Sequence, residues 1–339
     1  MQGCHISPMR IAINGFGRIG RTILRQILAL AQHDDVQIAL INDIAPAETL
    51  AYLFQYDSTF GPLPHDVTVS GGNLSVCGRN IALFHETDLT ALDLSGVDVL
   101  LECTGIARTS DVAERGLGAG ARSVLISGPS PAAEVTVVLG ANIHVLGAAR
   151  IVSNASCTTN AMAPLLRELN AVAAIETAHM TTIHCYTNSQ PMVDAPRGDM
   201  ARSRAGALSM VPTTTSAMTL IEQILPDLAG RISGAALRVP TASVSAVDLV
   251  AQMRDDQDEA TFTAALKARV AANPVLGWTD RPLVSADLRA RPESLIVAGP
   301  EIRMTGRRQL RVFGWYDNEW GFSARMLDVA ARMADREAL

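Results

Sequence analysis

The stretch RIAINGFGRIGRTILRQILALAQHDDVQIALIND, residues 10–43, decides the fold. RIAIN reads as a short apolar strand, and the glycine-rich turn that follows leads into Ile19, Ile23, Ile27 and Leu30 at helical spacing. VQIALIND (36–43) is a second apolar strand closing on Asn42 and Asp43. Strand, glycine turn, helix, strand is a βαβ unit, and its continuous apolar strands suit a parallel sheet covered on both faces. Within the turn, Gly15, Phe16, Gly17, Arg18, Ile19 and Gly20 form GxGxxG. Alone that pattern is weak. Here a strand precedes it, a helix follows it, and Asp43 lies 23 residues beyond the last glycine, which is the context of a dinucleotide site. Gly15 permits the tight turn, Gly17 lets a pyrophosphate reach N–H groups at the helix terminus, and Gly20 allows close helix–strand packing. Asp43 would accept from an adenosine ribose and repel a 2′-phosphate, which favours NAD over NADP.

The chain as a whole, 339 residues, is consistent with two domains. Charged residues are scarce at 18% against 48% hydrophobic, yet no membrane span is written. The longest stretches free of Asp, Glu, Lys and Arg are 177–193 and 205–221, both rich in Thr, Ser and Pro and shorter than the roughly 20 apolar residues a span needs. No signal peptide is visible, so a soluble, cytoplasmic chain is expected, with its low charge explained by surface hidden in an oligomer. A net charge of −6 argues against general nucleic-acid binding. Cys4, Cys77, Cys103, Cys157 and Cys185 are odd in number and include no CxxC, so neither a disulfide scaffold nor a metal site is expected. Lys267 is the sole lysine, so anions must be held by arginine, hydroxyls and backbone N–H groups.

Residues 1–8 read as a polar extension; downstream, 47–56 and 110–120 read as helices and 67–84 as hairpin strands. Strands are expected at 97–105, 123–127, 135–142 and 149–155, with a domain boundary near Ser156. Next come a helix over 158–172 that begins with Thr residues suited to capping, a strand over 177–187, and a long loop over 188–208. Helices at 213–226 and 257–270, strands at 232–240, 243–254, 294–298 and 308–315, and a terminal helix from 319 complete the reading.

SNASCTTN (153–160) sets Cys157 among small polar residues at a helix start, where free N–H groups and the positive dipole end favour a thiolate and can hold an oxyanion. For Cys77 and Cys103 the plain reading is a small buried hydrophobe, and Cys185 is expected in the core. His184, at a strand end, could serve as base and later as acid, although a lone strand-end histidine is more often structural. Thr187, Arg202, Arg204, Thr213, Thr214, Thr215 and Arg238 form a set able to hold anions, and Arg238 stands out because its strand is apolar. A dinucleotide site with a nucleophilic cysteine points to aldehyde oxidation. Thiolate addition creates the alkoxide whose collapse expels hydride to nicotinamide, leaving a thioester for water or phosphate.

Taken with INGFGRIGR (13–21), IND (41–43), YDS (56–58) and SNASCTTN, the motifs HCYTN (184–188), RAGALSMVPTTT (204–215), RVP (238–240) and WYDNEWGF (315–322) make the chain resemble phosphorylating glyceraldehyde-3-phosphate dehydrogenases. The resemblance runs from about residue 10 to the terminal helix. It implies an α/β fold: a Rossmann-type NAD-binding domain over 9–156, completed by helix 319–339, and an α+β catalytic and tetramerisation domain over 157–318 with a mostly antiparallel sheet. It implies a cytoplasmic homotetramer with one NAD per subunit, a sugar-phosphate substrate, inorganic phosphate, and a role in glycolysis or gluconeogenesis. Cys157 would be the nucleophile and His184 its base. Asn318 would fix the nicotinamide carboxamide, and Thr104, Gly105 and Ser127 would line the cofactor groove. Arg238 and Thr187 would hold the substrate phosphate; Ser156, Thr158 and Thr215, with Ser216 and Arg202 nearby, would hold inorganic phosphate. Loop 188–208 would line a neighbour's cofactor site.

Several positions depart from the family pattern. Ala161 replaces a second cysteine, Ser189 an aspartate, Ser216 a glycine, Thr87 an adenine-side arginine and Phe322 a frequent tyrosine. Asp43-Ile44 and Pro196 match NAD use, while Ala195 departs from the usual leucine. The alternatives are an erythrose-4-phosphate dehydrogenase, in which water cleaves the thioester, an arsenate-linked paralogue, and a non-catalytic NAD-binding protein. Retention of Cys157, His184, Arg238 and Asn318 together argues against the last.

Overall fold

Residues 8–335 are described by the computed structural model. The expected polar extension before residue 8, with Cys4, and the last four residues of the expected helix 319–339 lie outside the described residues. The chain divides into two units. One comprises the chain up to Val137, His144–Ala155 and the stretch from Ser323; the other comprises Val138–Ile143 and Ser156–Phe322.

In the first unit β1 (Arg10–Asn14), α1 (Arg18–Ala29), β2 (Gln37–Asn42) and α2 (Ala47–Gln55) form the expected βαβ start. A small ribbon of β3 (Tyr56–Asp57) and β4 (Gly61–Pro62) precedes the hairpin strands β5 (Thr68–Ser70), β6 (Asn73–Val76) and β7 (Arg79–Phe84). Then come β8 (Val99–Glu102), the single turns α3 (Ser110–Ala113) and α4 (Arg115–Gly118), β9 (Ser123–Ile126), β10 (Val135–Thr136) and β11 (Ile151–Ser153). The sheet order is β10-β11-β9-β8-β1-β2-β7-β6-β5. Neighbours from β10 to β7 are parallel, whereas β6 and β5 add antiparallel. From β1 the chain moves to β2 on one side and later returns to β8 on the other. That reversal opens a crevice at the carboxyl ends of β1 and β8.

Two expectations need correction here. VTVVLGAN is a strand only at Val135–Thr136. Beyond Val137 the chain joins the second unit, because Arg167 donates to the carbonyls of Gly140 (3.3 Å) and Ala141 (3.0 Å). Cys77 is exposed, not buried: it occupies the β6–β7 turn with φ 50°, where side chains point to solvent.

The second unit contains α5 (Cys157–Val172), β12 (Ile175–Cys185), β13 (Val211–Thr213), α6 (Ala217–Ile224), β14 (Ile232–Val239), β15 (Ser245–Met253), α7 (Glu259–Ala272), β16 (Leu276–Thr279), β17 (Leu295–Ala298), β18 (Arg303–Thr305), β19 (Gln309–Tyr316) and the start of α8 (Trp320–Ala334). Its sheet runs β13-β14-β12-β15-β19-β17-β16, with β18 on β19. Only β12–β14 and β16–β17 pair in parallel, so the sheet is mainly antiparallel. Leu165, Leu166 and Leu169 of α5 and Phe262 and Leu266 of α7 pack with Met180, Leu249 and Val312 of the sheet in one buried cluster. That anchorage fixes the start of α5 against the ends of β12 and β19. Between β12 and β13 the long loop holds only a single 3-10 turn, Ala201–Ser203, and keeps Met192, Met200 and Leu208 exposed. No helix among the described residues is long and apolar enough to cross a membrane.

Candidate functional site

In the first unit the crevice is a groove of about 290 Å³ whose lining includes Asn14, Gly15, Gly17, Asp43, Thr87 and Thr104. Gly15 has φ 91°, and a Cβ there would lie 2.7 Å from the Cys103 carbonyl carbon and Thr104 N, so only glycine fits. A Cβ on Gly20 would strike the Gly15 carbonyl oxygen, whereas one on Gly17 would meet nothing within 4 Å. The open space above Gly17 leaves room for a group to approach the start of α1, which has no acid in its first turn to compete for the N–H groups. Gly20→Ala is therefore expected to destabilise the protein by about 3 kcal/mol, since a backbone oxygen cannot yield as a side chain can. Urea unfolding of the ligand-free protein checks this, and an unchanged midpoint contradicts it.

Asp43 Oδ2 accepts from the Phe16 N–H (2.7 Å) and Oδ1 from the Ala45 N–H (2.9 Å). A carboxylate offers about four acceptor sites, so half remain for a ribose. Beneath the groove lies a network the sequence did not reveal. Glu102 accepts from Asn14 Nδ2 (2.5 Å), the Thr104 N–H (2.9 Å) and the Thr104 hydroxyl, and Asn42 Nδ2 donates to Asn14 Oδ1 (2.9 Å). These bonds join the ends of β1, β2 and β8. Thr104 thus spends its hydroxyl proton on Glu102. Gly105, with φ 78°, opens the turn after β8, and the Ser127 N–H donates to the Glu102 carbonyl (2.9 Å). Arg18 pairs with Asp57, which also accepts from the Thr59 and Phe60 N–H groups. The Arg18 guanidinium lies over the Phe60 ring, so it pins the segment after α2 to the glycine loop.

In the second unit the pairing register explains the chemistry. His184 stands opposite Arg238 on the parallel neighbours β12 and β14. Cys157 Sγ lies 3.6 Å from His184 Nε2. His184 Nδ1 lies 2.7 Å from the Cys185 carbonyl, which also accepts from Arg238 Nη1 at 2.9 Å. Arg238 Nη1 also lies 2.9 Å from Nδ1, but it donates to the same carbonyl; with Nδ1–H given to that carbonyl at the shorter distance, Nε2 is unprotonated and faces the thiol. Arg238 Nη1 is also 3.4 Å from Thr187 Oγ1, while its Nη2 and Nε have no hydrogen-bond partner among the described residues. Those donors remain for an anion.

The helix start does not make Cys157 a resting thiolate. Burial raises its pKa, opposed by the Arg238 charge and by hydrogen bonds from Thr158 and from its own N–H. Burial, then Arg238, lowers the His184 pKa to about 4 despite the Cys185 carbonyl. The resting pair is neutral thiol and neutral imidazole, because desolvation outweighs the helix dipole. Arg238→Met should move the pH midpoint for iodoacetamide labelling of Cys157 upward, as followed by peptide mass spectrometry. An unchanged midpoint contradicts the role given to Arg238.

Ser156, not Thr158 or Thr159, caps α5, accepting from the Thr159 N–H at 3.1 Å. Thr158 Oγ1 turns instead to the Tyr316 hydroxyl (3.0 Å), which also meets Thr182 Oγ1 (2.8 Å). Tyr316 is buried, its ring edge-on to His184 at 6.0 Å, and it was not singled out from sequence. Cys185 is buried as expected, yet its thiol is bonded to Asn318 instead of lying in apolar core. Arg202 Nε donates to Thr213 Oγ1 (2.6 Å) and its Nη2 to the Thr214 carbonyl (3.2 Å), so it braces the threonine run. Thr215 Oγ1 accepts from the Ala217 N–H (3.2 Å), and Ser216 occupies the N-cap of α6. No hydrogen bond among the described residues joins Arg202, Thr215 or Ser216 to the Cys157 cluster. Arg204 is an exposed ion pair with Asp194 (2.7 Å).

A parallel-sheet dinucleotide crevice and a cysteine–histidine pair backed by an arginine define the class, an NAD-dependent aldehyde dehydrogenase. Residues 9–110 match the model for the glyceraldehyde 3-phosphate dehydrogenase NAD binding domain, and residues 156–318 that for its C-terminal domain. The chain is 43% identical over 332 residues to a glyceraldehyde-3-phosphate dehydrogenase of Xanthobacter flavus, covering 96% of this chain and 98% of that relative. It is 44% identical over 329 residues to one of Pseudomonas aeruginosa, with the same coverage. To glyceraldehyde-3-phosphate dehydrogenase 1 of Bacillus subtilis it is 39% identical over 334 residues, covering 97% and 99%. The chain belongs to the glyceraldehyde-3-phosphate dehydrogenase family.

Proposed function

We propose that the protein oxidises D-glyceraldehyde 3-phosphate to 1,3-bisphosphoglycerate with inorganic phosphate, and that Cys157 carries the acyl group. The observation that carries this reading is the Cys157–His184–Arg238 line, 3.6 Å from thiol to imidazole, with spare guanidinium donors beside it. Domains over 9–156 with the C-terminal helix, and over 157–318, divide the work between cofactor binding and catalysis. The glycine loop with Asp43, Thr104, Gly105 and Ser127 holds NAD, and Asn318 holds its nicotinamide carboxamide. Bound NAD supplies the hydride acceptor.

His184 Nε2 takes the thiol proton, while N–H groups at the start of α5 and the Arg238 charge stabilise the thiolate. Thiolate addition to the aldehyde carbon gives an alkoxide, and collapse of that alkoxide with loss of hydride leaves a thioester on Cys157. Inorganic phosphate attacks the thioester carbonyl, the thiolate leaves, and His184 returns its proton to sulfur. The phosphate proton goes to solvent. Arg238 and Thr187 grip the phosphate of the substrate; Ser156, Thr158, Thr215 and Ser216, with Arg202, form the inorganic-phosphate site. The working form is a cytoplasmic homotetramer in which loop 188–208 meets a neighbouring subunit, which suits its exposed Met192, Met200 and Leu208.

NADH formation from glyceraldehyde 3-phosphate and from erythrose 4-phosphate, each with and without inorganic phosphate, tests the assignment. Phosphate-dependent turnover that is faster with the triose supports it. Faster, phosphate-independent turnover of the tetrose overturns it.

A further inference from the structure

Beside the Cys157–His184 pair, three strand ends meet at one edge of the second sheet. β12 and β19 run in the same direction with β15 antiparallel between them, so the ends of β12 and β19 converge with the start of β15. Cys185 closes β12, Ser245 opens β15, and Asn318 lies just past the end of β19. All three are buried. Cys185 Sγ donates to Asn318 Oδ1 at 3.1 Å, and Ser245 Oγ donates to the same oxygen at 3.2 Å. Ser245 Oγ in turn accepts from the Cys185 N–H at 3.2 Å, which directs its own proton toward Oδ1. Burial pushes the Cys185 thiol up to about 12, so it remains a donor across the working pH range.

The Asn318 side chain is therefore used at one end only. Both lone pairs of its oxygen are filled by the protein, and its Nδ2 makes no hydrogen bond to any described residue. Turning the amide over would set two N–H groups against a thiol and a hydroxyl whose oxygen already accepts from backbone. That arrangement takes the shared acceptor away from the thiol and hydroxyl protons and offers the amide only a weakly accepting sulfur and an oxygen already in use.

We propose that Cys185 and Ser245 are positioning residues that lock the Asn318 amide with Nδ2 outward, so that it donates to a carbonyl acceptor on the ligand, the carboxamide oxygen of nicotinamide. This rests on the reading of Asn318 as the partner of that carboxamide.

Calorimetric binding of NAD and two analogues reads the lock without turnover. The 3-acetylpyridine analogue keeps the carbonyl and loses the amino group; the thionicotinamide analogue replaces the oxygen by a weakly accepting sulfur. The wild-type protein should bind the first within about threefold of NAD and the second about tenfold more weakly, the worth of one hydrogen bond. In Cys185→Ala with Ser245→Ala the amide is free to turn, and the gap between the analogues should close to about twofold or less. Cys185→Ser keeps an O–H donor and should restore most of the gap. Iodoacetamide labelling of Cys157 at the wild-type rate shows that the site is still built. If the double variant does not fold, each single alanine variant should narrow the gap partway.

A wild-type gap in the double variant, or in both single alanine variants, overturns the proposal. So does a Cys185→Ser variant that loses the gap as fully as Cys185→Ala. Asn318→Ala separates the two readings. If it leaves all three affinities unchanged, Asn318 does not meet the carboxamide and the lock falls with it. If it weakens NAD while the double variant keeps its gap, the lock alone is wrong.

Discussion

Cys157→Ser should leave a folded, NAD-binding protein whose phosphate-dependent NADH formation is lower by about 10⁴-fold or more. The thiol is partly buried against the core that Leu165, Leu166 and Leu169 build, and serine differs there by one atom, so packing is nearly preserved. The chemistry is not. A serine hydroxyl ionises far above a thiol, and an imidazole whose own pKa is lowered to about 4 is too weak a base to take its proton. Steady-state rates with a parallel calorimetric titration of NAD separate the two effects. Residual turnover above about one percent, from a preparation free of wild-type protein, contradicts the assignment of Cys157 as nucleophile.

His184→Asn should lower turnover by about 10²- to 10⁴-fold, the usual worth of a positioned general base. Asparagine can still donate to the Cys185 carbonyl, so the loss measures the missing base more than a collapsed site. The same substitution has a signature in stability. Native His184 titrates near 4 because burial and then Arg238 oppose its charge, while in the unfolded chain it titrates near 6.5. As pH falls from 6.5 toward 4, the unfolded state takes up a proton that the native state refuses. Stability from this group is therefore present above pH 6.5 and lost on acidification, by up to about 1.4 kcal/mol per pH unit, until the native state also protonates near 4. Urea unfolding across that window should show a shallower acid loss in His184→Asn than in the wild type. Equal slopes would mean that His184 is not held neutral in the fold.

Much of this was legible in residues 10–43. The glycines are readable because Gly15 and Gly20 sit where a Cβ meets backbone, a constraint that only one residue type satisfies. Asp43 is readable because its position follows from the length of the βαβ unit. The setting of Cys157 among small polar residues at a helix start was also legible, but the balance of its ionisation was not. Helix polarity is a local property, whereas burial by the second unit's core is a tertiary one, and the tertiary effect prevails. Contacts made by register were hidden for the same reason. Arg238 reaches His184 only because β14 pairs with β12 at that register, and β14 follows β12 by more than forty residues of chain. Tyr316, Ser245 and the Glu102–Asn14–Asn42 network are ordinary residue types whose meaning arises where strand ends converge. Local pattern also misled. The Thr residues of SCTTN look like caps, yet Ser156 takes that place and frees Thr158 to meet Tyr316. The strand Leu276–Thr279 carries little local signal because it is short, contains Gly277 and follows Pro274.

Trapping the acyl group on Cys157 tests the reaction directly. The protein is mixed with glyceraldehyde 3-phosphate and NAD in the absence of inorganic phosphate, quenched in acid and digested. Mass spectrometry should find the phosphoglyceroyl group on the peptide that contains Cys157. Addition of inorganic phosphate before the quench should discharge it to 1,3-bisphosphoglycerate. An unmodified Cys157, an acyl group on another thiol, or an adduct whose discharge is indifferent to phosphate would contradict the reaction proposed.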